Sequence, residues 1–240
     1  MSSKTIICIH GLGASRASFS PLARTRLASK SVLKAVDLPG FGARCDESVP
    51  DDPLSAAAQE LADEINAIGS HNVILVGHSL GGAVALVAAK MAKADVFAVA
   101  SIEGNLIAED CGLSRRIAMA TTVAEREAIR AEAIADAGQS HNTDVRDWAS
   151  DLSRVSAATL FKYSKQLVDL SDSGELLEQF ISDGYRKIYL YGDEYSGHPI
   201  LNRLGSIPTQ YVAGAGHISF IGDAPEANAL ALSSLLPDPL

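Results

Sequence analysis

Val73-Ile74-Leu75-Val76-Gly77-His78-Ser79-Leu80-Gly81-Gly82 reads as a buried strand running into a tight turn. Val73 to Val76 are all β-branched or leucine, which suits a strand covered on both faces of a parallel sheet. After the turn, Ala83-Val84-Ala85-Leu86-Val87-Ala88-Ala89 is a helix-forming run. The glycines of Gly77-x-Ser79-x-Gly81 leave room for a strained residue between them and for close strand-to-helix packing, so the Ser79 hydroxyl stands clear of the sheet edge. Glycine and serine are common, and such a five-residue pattern recurs by chance. The hydrophobic strand before it and the apolar helix after it make Ser79 a candidate nucleophile.

Outward from this stretch the chain alternates strand and helix patterns. Thr5 to Ile9 is an apolar run of strand length ending in His10-Gly11-Leu12-Gly13, with a helix expected to start near Ser18 or Pro21. Ser31 to Asp37 gives a second strand, closed by Leu38-Pro39-Gly40-Phe41-Gly42, where proline and glycine rule out regular structure. Leu54 to Ile68 carries apolar residues at near-helical spacing and stops at Gly69. The helix after Ser79 runs to about Lys93, and Asp95 to Ile102 is another buried strand, ending in Glu103-Gly104-Asn105. From about Leu106 to Asp183 no strand pattern occurs, but helical patterns do, at 114–122, 123–137, 144–152 and 157–170. Strands resume at Tyr185 to Gly192 and Thr209 to Ala213, before a closing helix from about Pro225 to Leu236. The expected architecture is α/β, a mostly parallel doubly wound sheet: 1–105 and 184–240 form the core, and 106–183 a helical cap inserted late.

Composition narrows the function classes. A chain of 240 residues with 47% hydrophobic residues suits one larger domain or one domain with an insertion. The longest apolar runs are too short to span a bilayer, and Met1-Ser2-Ser3-Lys4 leads into a strand without a signal-peptide region, so a cytoplasmic protein is expected. A net charge of -9 argues against nucleic acid and anionic membrane surfaces as partners. The three cysteines, Cys8, Cys45 and Cys111, have neither disulfide-framework nor zinc-type spacing.

In such sheets ligands bind outside the carboxyl ends of the strands. Those ends carry Gly11-Leu12, Ser79, Glu103, Asp193 with Glu194, and Gly216-His217. A serine hydroxyl needs a base within hydrogen-bond reach, and the base needs a third group to orient it. His217 is the candidate base, because the loop Ala213-Gly214-Ala215-Gly216 before it can carry an imidazole across the sheet edge. His10 and His78 adjoin glycine-rich turns and are expected to shape the site; His71, His141 and His198 have no comparable context. The backbone N–H groups of Leu12 and Leu80 are the candidate oxyanion hole. No metal or organic cofactor is required.

These motifs together resemble the α/β-hydrolase superfamily. His10-Gly11-Leu12-Gly13 resembles its oxyanion loop, Asp37-Leu38-Pro39-Gly40-Phe41-Gly42 the turn of its small lidded members, Gly77 to Gly82 its nucleophile elbow, and Gly214-Ala215-Gly216-His217 its histidine loop. The resemblance spans Thr5 to Leu236 and implies a helical cap over the site. It also implies an aspartate about three residues after Gly192, but that position is Tyr195, with Asp193 and Glu194 out of step. Some members place the acid after the preceding core strand, where this chain has Glu103, so Glu103 is the first choice of acid and Asp193 the alternative.

The expected activity is that of a serine hydrolase: a carboxylesterase-like enzyme cleaving an ester, thioester, lactone or similar acyl bond of a small molecule through an acyl-enzyme at Ser79. A small-molecule receptor, or another non-hydrolytic member on the same fold, is the alternative. Dehalogenation and epoxide hydrolysis through an aspartate nucleophile are disfavoured by Ser79. A dinucleotide-binding reading of Gly11-x-Gly13 with Asp37 fails because Arg16 stands where a third glycine belongs. Trp148, Leu160, Phe161 and Tyr163 of the cap are candidates to line the pocket. Oligomeric state and substrate identity are not encoded in any motif.

Overall fold

The computed structural model describes residues 4–240. At its centre lies one sheet of six strands: β1 (Lys4–Ile9), β2 (Ser31–Val36), β3 (Val73–His78), β4 (Ala98–Ile102), β5 (Arg186–Tyr191) and β6 (Thr209–Tyr211). Their order is β2-β1-β3-β4-β5-β6, and every neighbouring pair is parallel. The chain moves from β1 outward to β2 and then returns to place β3 on the other side of β1. The loops after β1 and β3 therefore leave the sheet at a topological switch point. Register fixes what meets there, since Ile9 pairs with Gly77 and His78 with Ile102. The segments beginning at His10, Ser79 and Glu103 emerge side by side.

Helices cover both faces: α1 (Leu27–Lys30), α2 (Pro53–Ile68), α3 (Leu80–Met91), α4 (Leu113–Met119), α5 (Val123–Gly138), α6 (Thr143–Arg154), α7 (Ala157–Ser173), α8 (Glu175–Ser182), α9 (Pro199–Arg203), α10 (Phe220–Asp223) and α11 (Pro225–Ser233). Strand side chains alternate between two cores. Ile7, Ile9, Leu75 and Val99 meet α2 and α3 on one face, while Ile6, Cys8, Ile74, Val76 and Ala100 meet α1, α10 and α11 on the other. Proline at its first position and Gly69 at φ 98° bound α2, whose buried residues Leu54, Ala58, Leu61 and Ile65 form one stripe. α3 has no such stripe. Leu80 through Leu86 are all buried, because this helix is enclosed by the sheet, α2 and the helical segment that follows β4.

That segment contains a short 3-10 turn and α4 to α8, with no strand between β4 and β5. α7 anchors it to the sheet layer: Leu160, Tyr163 and Leu167 join the first core, and the Tyr163 hydroxyl donates to Pro39 O at 3.1 Å. Local departures from the sequence reading are few. The helix expected near Ser18 is a nine-residue 3-10 helix (Arg16–Arg24) with Pro21 inside it, where the missing N–H and the ring oppose an α-helical ladder. The short α8, α9 and α10 have no counterpart among the helices expected from the sequence.

Candidate active site

The turn from β3 to α3 places Ser79 at φ 51°, ψ -121°, a left-handed backbone that few non-glycine residues adopt. A Cβ on Gly77 would overlap the Gly81 carbonyl oxygen, and one on Gly81 would overlap the carbonyl oxygen of Ile9. Main-chain bonds hold the strained residue between them. The Ser79 N–H donates to Ile102 O (3.0 Å), and its carbonyl accepts from Gly82 N–H (2.8 Å) and Asn105 N–H (3.3 Å). The Leu80 amide opens α3 and is one of the N–H groups a helix leaves without an intrahelical acceptor.

Glu103 leaves β4 at φ 43° and is fully buried. Its Oε1 accepts from Gly192 N–H at 2.7 Å, and its Oε2 lies 2.6 Å from His217 Nδ1. A carboxylate facing Nδ1 assigns the ring proton there and leaves Nε2 as the acceptor, the tautomer a general base needs. The imidazole of His217 stacks on Tyr195 (5.7 Å between centroids, 12° between planes) and lies 4.9 Å from the His78 ring. Glu103 and His217 are thus in direct contact, and Ser79 lines the same cavity as His217. Asp193 stands elsewhere: it accepts from the Tyr211 hydroxyl (2.6 Å) and Gly214 N–H (3.1 Å), bonds that hold its carboxyl below the usual range. Glu194 Oε1 accepts from the His217 main-chain N–H, so it braces the loop rather than the ring.

The remaining expected residues fall around this group. Leu12 lines a cavity of about 320 Å³ together with Ser79 and His217, and its carbonyl accepts from Trp148 Nε1 at 2.9 Å. His10 is buried, donates from Nδ1 to Gly11 O and accepts Leu38 N–H at Nε2, tying the loops after β1 and β2 together. Burial lowers its pKa. His78 is pulled down to about 3 by burial and by the neighbouring His217, so it is neutral. Asp37 accepts from Arg16 and Ala43 N–H, which explains the loop after β2 as a turn clamp. Of the four cap residues named above only Trp148 reaches the cavity. Leu160 and Tyr163 are buried in the first core, and Phe161 lies under the Arg126 guanidinium, 3.3 Å from its ring centroid.

Several residues at the cavity carry no sequence signal of their own. The Ser79 hydroxyl donates to Asn105 Oδ1 at 3.2 Å, and no hydrogen bond joins Ser79 to His217 among the described residues. Asn105 sits two residues beyond Glu103, at a strand end, which is the one cue that could have found it. Asp110 accepts Leu106 and Ile107 N–H at Oδ2, and its Oδ1 lies 3.5 Å from His198 Nδ1. Burial pushes the Asp110 carboxyl up to about 7 and lowers His198. His198, which had no context in sequence, lines the cavity beside Tyr195. Among the described residues no group of three His, Cys, Asp or Glu is arranged to hold a metal ion, and no helix is long and apolar enough to cross a membrane.

A parallel sheet carrying a strained serine at its β3–α3 turn defines a class of proteins, and the whole-chain comparison agrees with it. The chain matches the alpha/beta hydrolase family model over residues 6–230 and belongs to that family. Solved structures share the fold at low identity. One is the N-acyl homoserine lactonase AidH, studied as a mutant with N-hexanoyl homoserine: 16% identity, TM-score 0.73, over 99% of this chain and 90% of that one. Another comes from work on carboxylesterases of the thaumarchaeon Nitrososphaera gargenis (16%, TM-score 0.71, 97% and 90%). A third is a putative aryl esterase from Burkholderia cenocepacia (20%, TM-score 0.68, 98% and 90%). No curated protein matches the chain in sequence.

Proposed function

We propose that the protein is a serine hydrolase that cleaves an ester, thioester or lactone of a small molecule through an acyl-enzyme. The observation that carries this reading is the buried Glu103 carboxylate 2.6 Å from His217 Nδ1, beside a serine held in a strained turn. Ser79 Oγ attacks the carbonyl carbon while His217 Nε2 takes its proton; the carbonyl electron pair moves onto oxygen, which the Leu12 and Leu80 amides receive. His217 then gives the proton to the leaving group, and water repeats the sequence to release the acid. Glu103 holds the tautomer and stabilises the imidazolium. The neutral His78 beside His217 adds no competing charge. Residues 106–183 act as a cap over the core of 1–105 and 184–240, and Trp148 links that cap to the oxyanion loop through Leu12 O. Esterases and lactonases among the structural neighbours favour the same chemistry.

A fluorophosphonate probe and a short p-nitrophenyl ester test this directly. The native chain is expected to label and turn over, and Ser79→Ala to do neither. A native chain that neither labels nor hydrolyses overturns the proposal and leaves a ligand-binding role on the same fold.

A further inference from the structure

Asn105 is 3% exposed, and its amide is locked in one orientation. Nδ2 donates to the Asp110 carbonyl at 2.8 Å and faces Cys111 Sγ at 3.7 Å, so a flipped amide would set two oxygens against each other. Oδ1 is thereby fixed toward Ser79, whose hydroxyl donates to it. In the reaction proposed above, that hydroxyl proton leaves for His217, and throughout the lifetime of the acyl-enzyme Oγ is esterified and has no hydrogen to give. A nearly buried acceptor then stands without its donor, which is costly wherever nothing replaces it.

A donor carried by the substrate close to the reacting carbon can take its place. That carbon bears four groups at the tetrahedral stage: Oγ, the oxyanion at the Leu12 and Leu80 amides, the leaving group at His217, and the acyl α-carbon. An acceptor cannot serve the oxyanion, and the leaving group needs the proton of His217. A donor on the acyl α-carbon meets neither conflict, and that carbon is bonded directly to the reacting carbon, within reach of Asn105. No Lys or Arg is among the described lining residues of the cavity, and its carboxyl groups are already engaged: Glu109 by Arg203, Asp110 by the Leu106 and Ile107 N–H groups, and Glu194 by the His217 N–H.

We propose that the substrate is an acyl compound with an O–H or N–H on the carbon next to the scissile carbonyl, an α-hydroxy or α-acylamino ester, and that Asn105 Oδ1 accepts from that donor. This rests on the hydrolase reading and makes Asn105 a specificity-determining residue.

Matched substrates separate hydrogen bonding from inductive activation. Phenyl lactate is compared with phenyl 2-methoxypropanoate, and phenyl N-acetylalaninate with its N-methyl counterpart, each rate normalised to spontaneous hydrolysis. In at least one pair the donor-bearing ester is expected to lead by about 10- to 100-fold in kcat/KM; which pair it is distinguishes O–H from N–H. In Asn105→Leu the ratio within that pair should shrink to below about threefold. Calorimetric titration of Ser79→Ala, where Oδ1 has lost the serine donor, gives a readout that needs no turnover: the donor-bearing ester should bind about tenfold tighter than its methylated partner. Ratios near one in both pairs, in native kinetics and in Ser79→Ala binding, overturn the inference while fluorophosphonate labelling persists. Loss of labelling overturns the hydrolase reading itself, and this inference with it.

Discussion

Glu103 illustrates how much one side chain commits. It holds a left-handed backbone, buries a carboxylate completely, and satisfies one oxygen with a main-chain N–H and the other with an imidazole. Glu103→Gln keeps the shape but offers Nδ1 an amide in place of a carboxylate, so kcat should fall about 10³- to 10⁴-fold with little change in KM. Asp193→Asn touches only the Tyr211 hydroxyl and the Gly214 N–H and should alter kcat less than about threefold in the same assay. Equal losses in the two variants would contradict the assignment of the acid. Trp148→Phe retains the ring and deletes the donor to Leu12 O; a fall in kcat of about three- to tenfold is expected, because the loop carrying Leu12, the proposed oxyanion donor, loses its tether from α6. Both candidate acids were legible in the sequence, since each follows a strand. Choosing between them depended on which strand end the His217 ring overhangs, and local sequence carries no information on that.

Among the elements, the β3–α3 turn leaves no room for added atoms. Gly81→Ala drives a methyl group into the Ile9 carbonyl at the point where α3 crosses the end of β1. Backbone cannot yield as a flexible side chain does, so urea denaturation should show a loss of at least about 2 kcal/mol. Gly138→Ala, with open space around its position at the end of α5, is the matched control and should change stability by less than about 1 kcal/mol. Elements with a strong period were readable: β3 as an unbroken apolar run, α2 as a stripe closed by Gly69. α8 escaped because it is eight residues long and starts directly from Gly174, which also ends α7. The 3-10 helix at Arg16–Arg24 escaped because apolar spacing does not distinguish it from an α-helix.

For the molecule as a whole, two buried groups set opposite limits on stability. An unfolded Asp110 carboxyl titrates near 3.8 and the folded one near 7, with His198, His217, Glu109, Tyr189 and Tyr195 among the charged or titratable groups facing it. The folded protein keeps a proton that the unfolded chain has released, so this contribution is complete below pH 3.8 and is lost as pH rises through about 7. His78 runs the other way: its folded value near 3 against 6.5 unfolded makes its contribution complete above pH 6.5 and lost as pH falls toward 3. Asp110→Asn mimics the protonated acid, so its stability relative to the native chain should improve by about 2 to 3 kcal/mol between pH 5 and pH 8, measured by denaturant melts. A gap that is flat in pH would remove Asp110 from the account. The six strands, the serine at the third strand's end and the glycine-rich loop before His217 are legible from local sequence alone, because periodicity, glycine sterics and turn chemistry act between residues close in the chain. That Glu103 rather than Asp193 meets His217, that Asn105 holds the Ser79 hydroxyl, and that His198 and Asp110 share the cavity wall emerges only in the folded chain. Those contacts join residues 26 to 114 positions apart, or buried groups whose neighbours come from other elements, and they exist only once the sheet order and register have set the strand ends side by side.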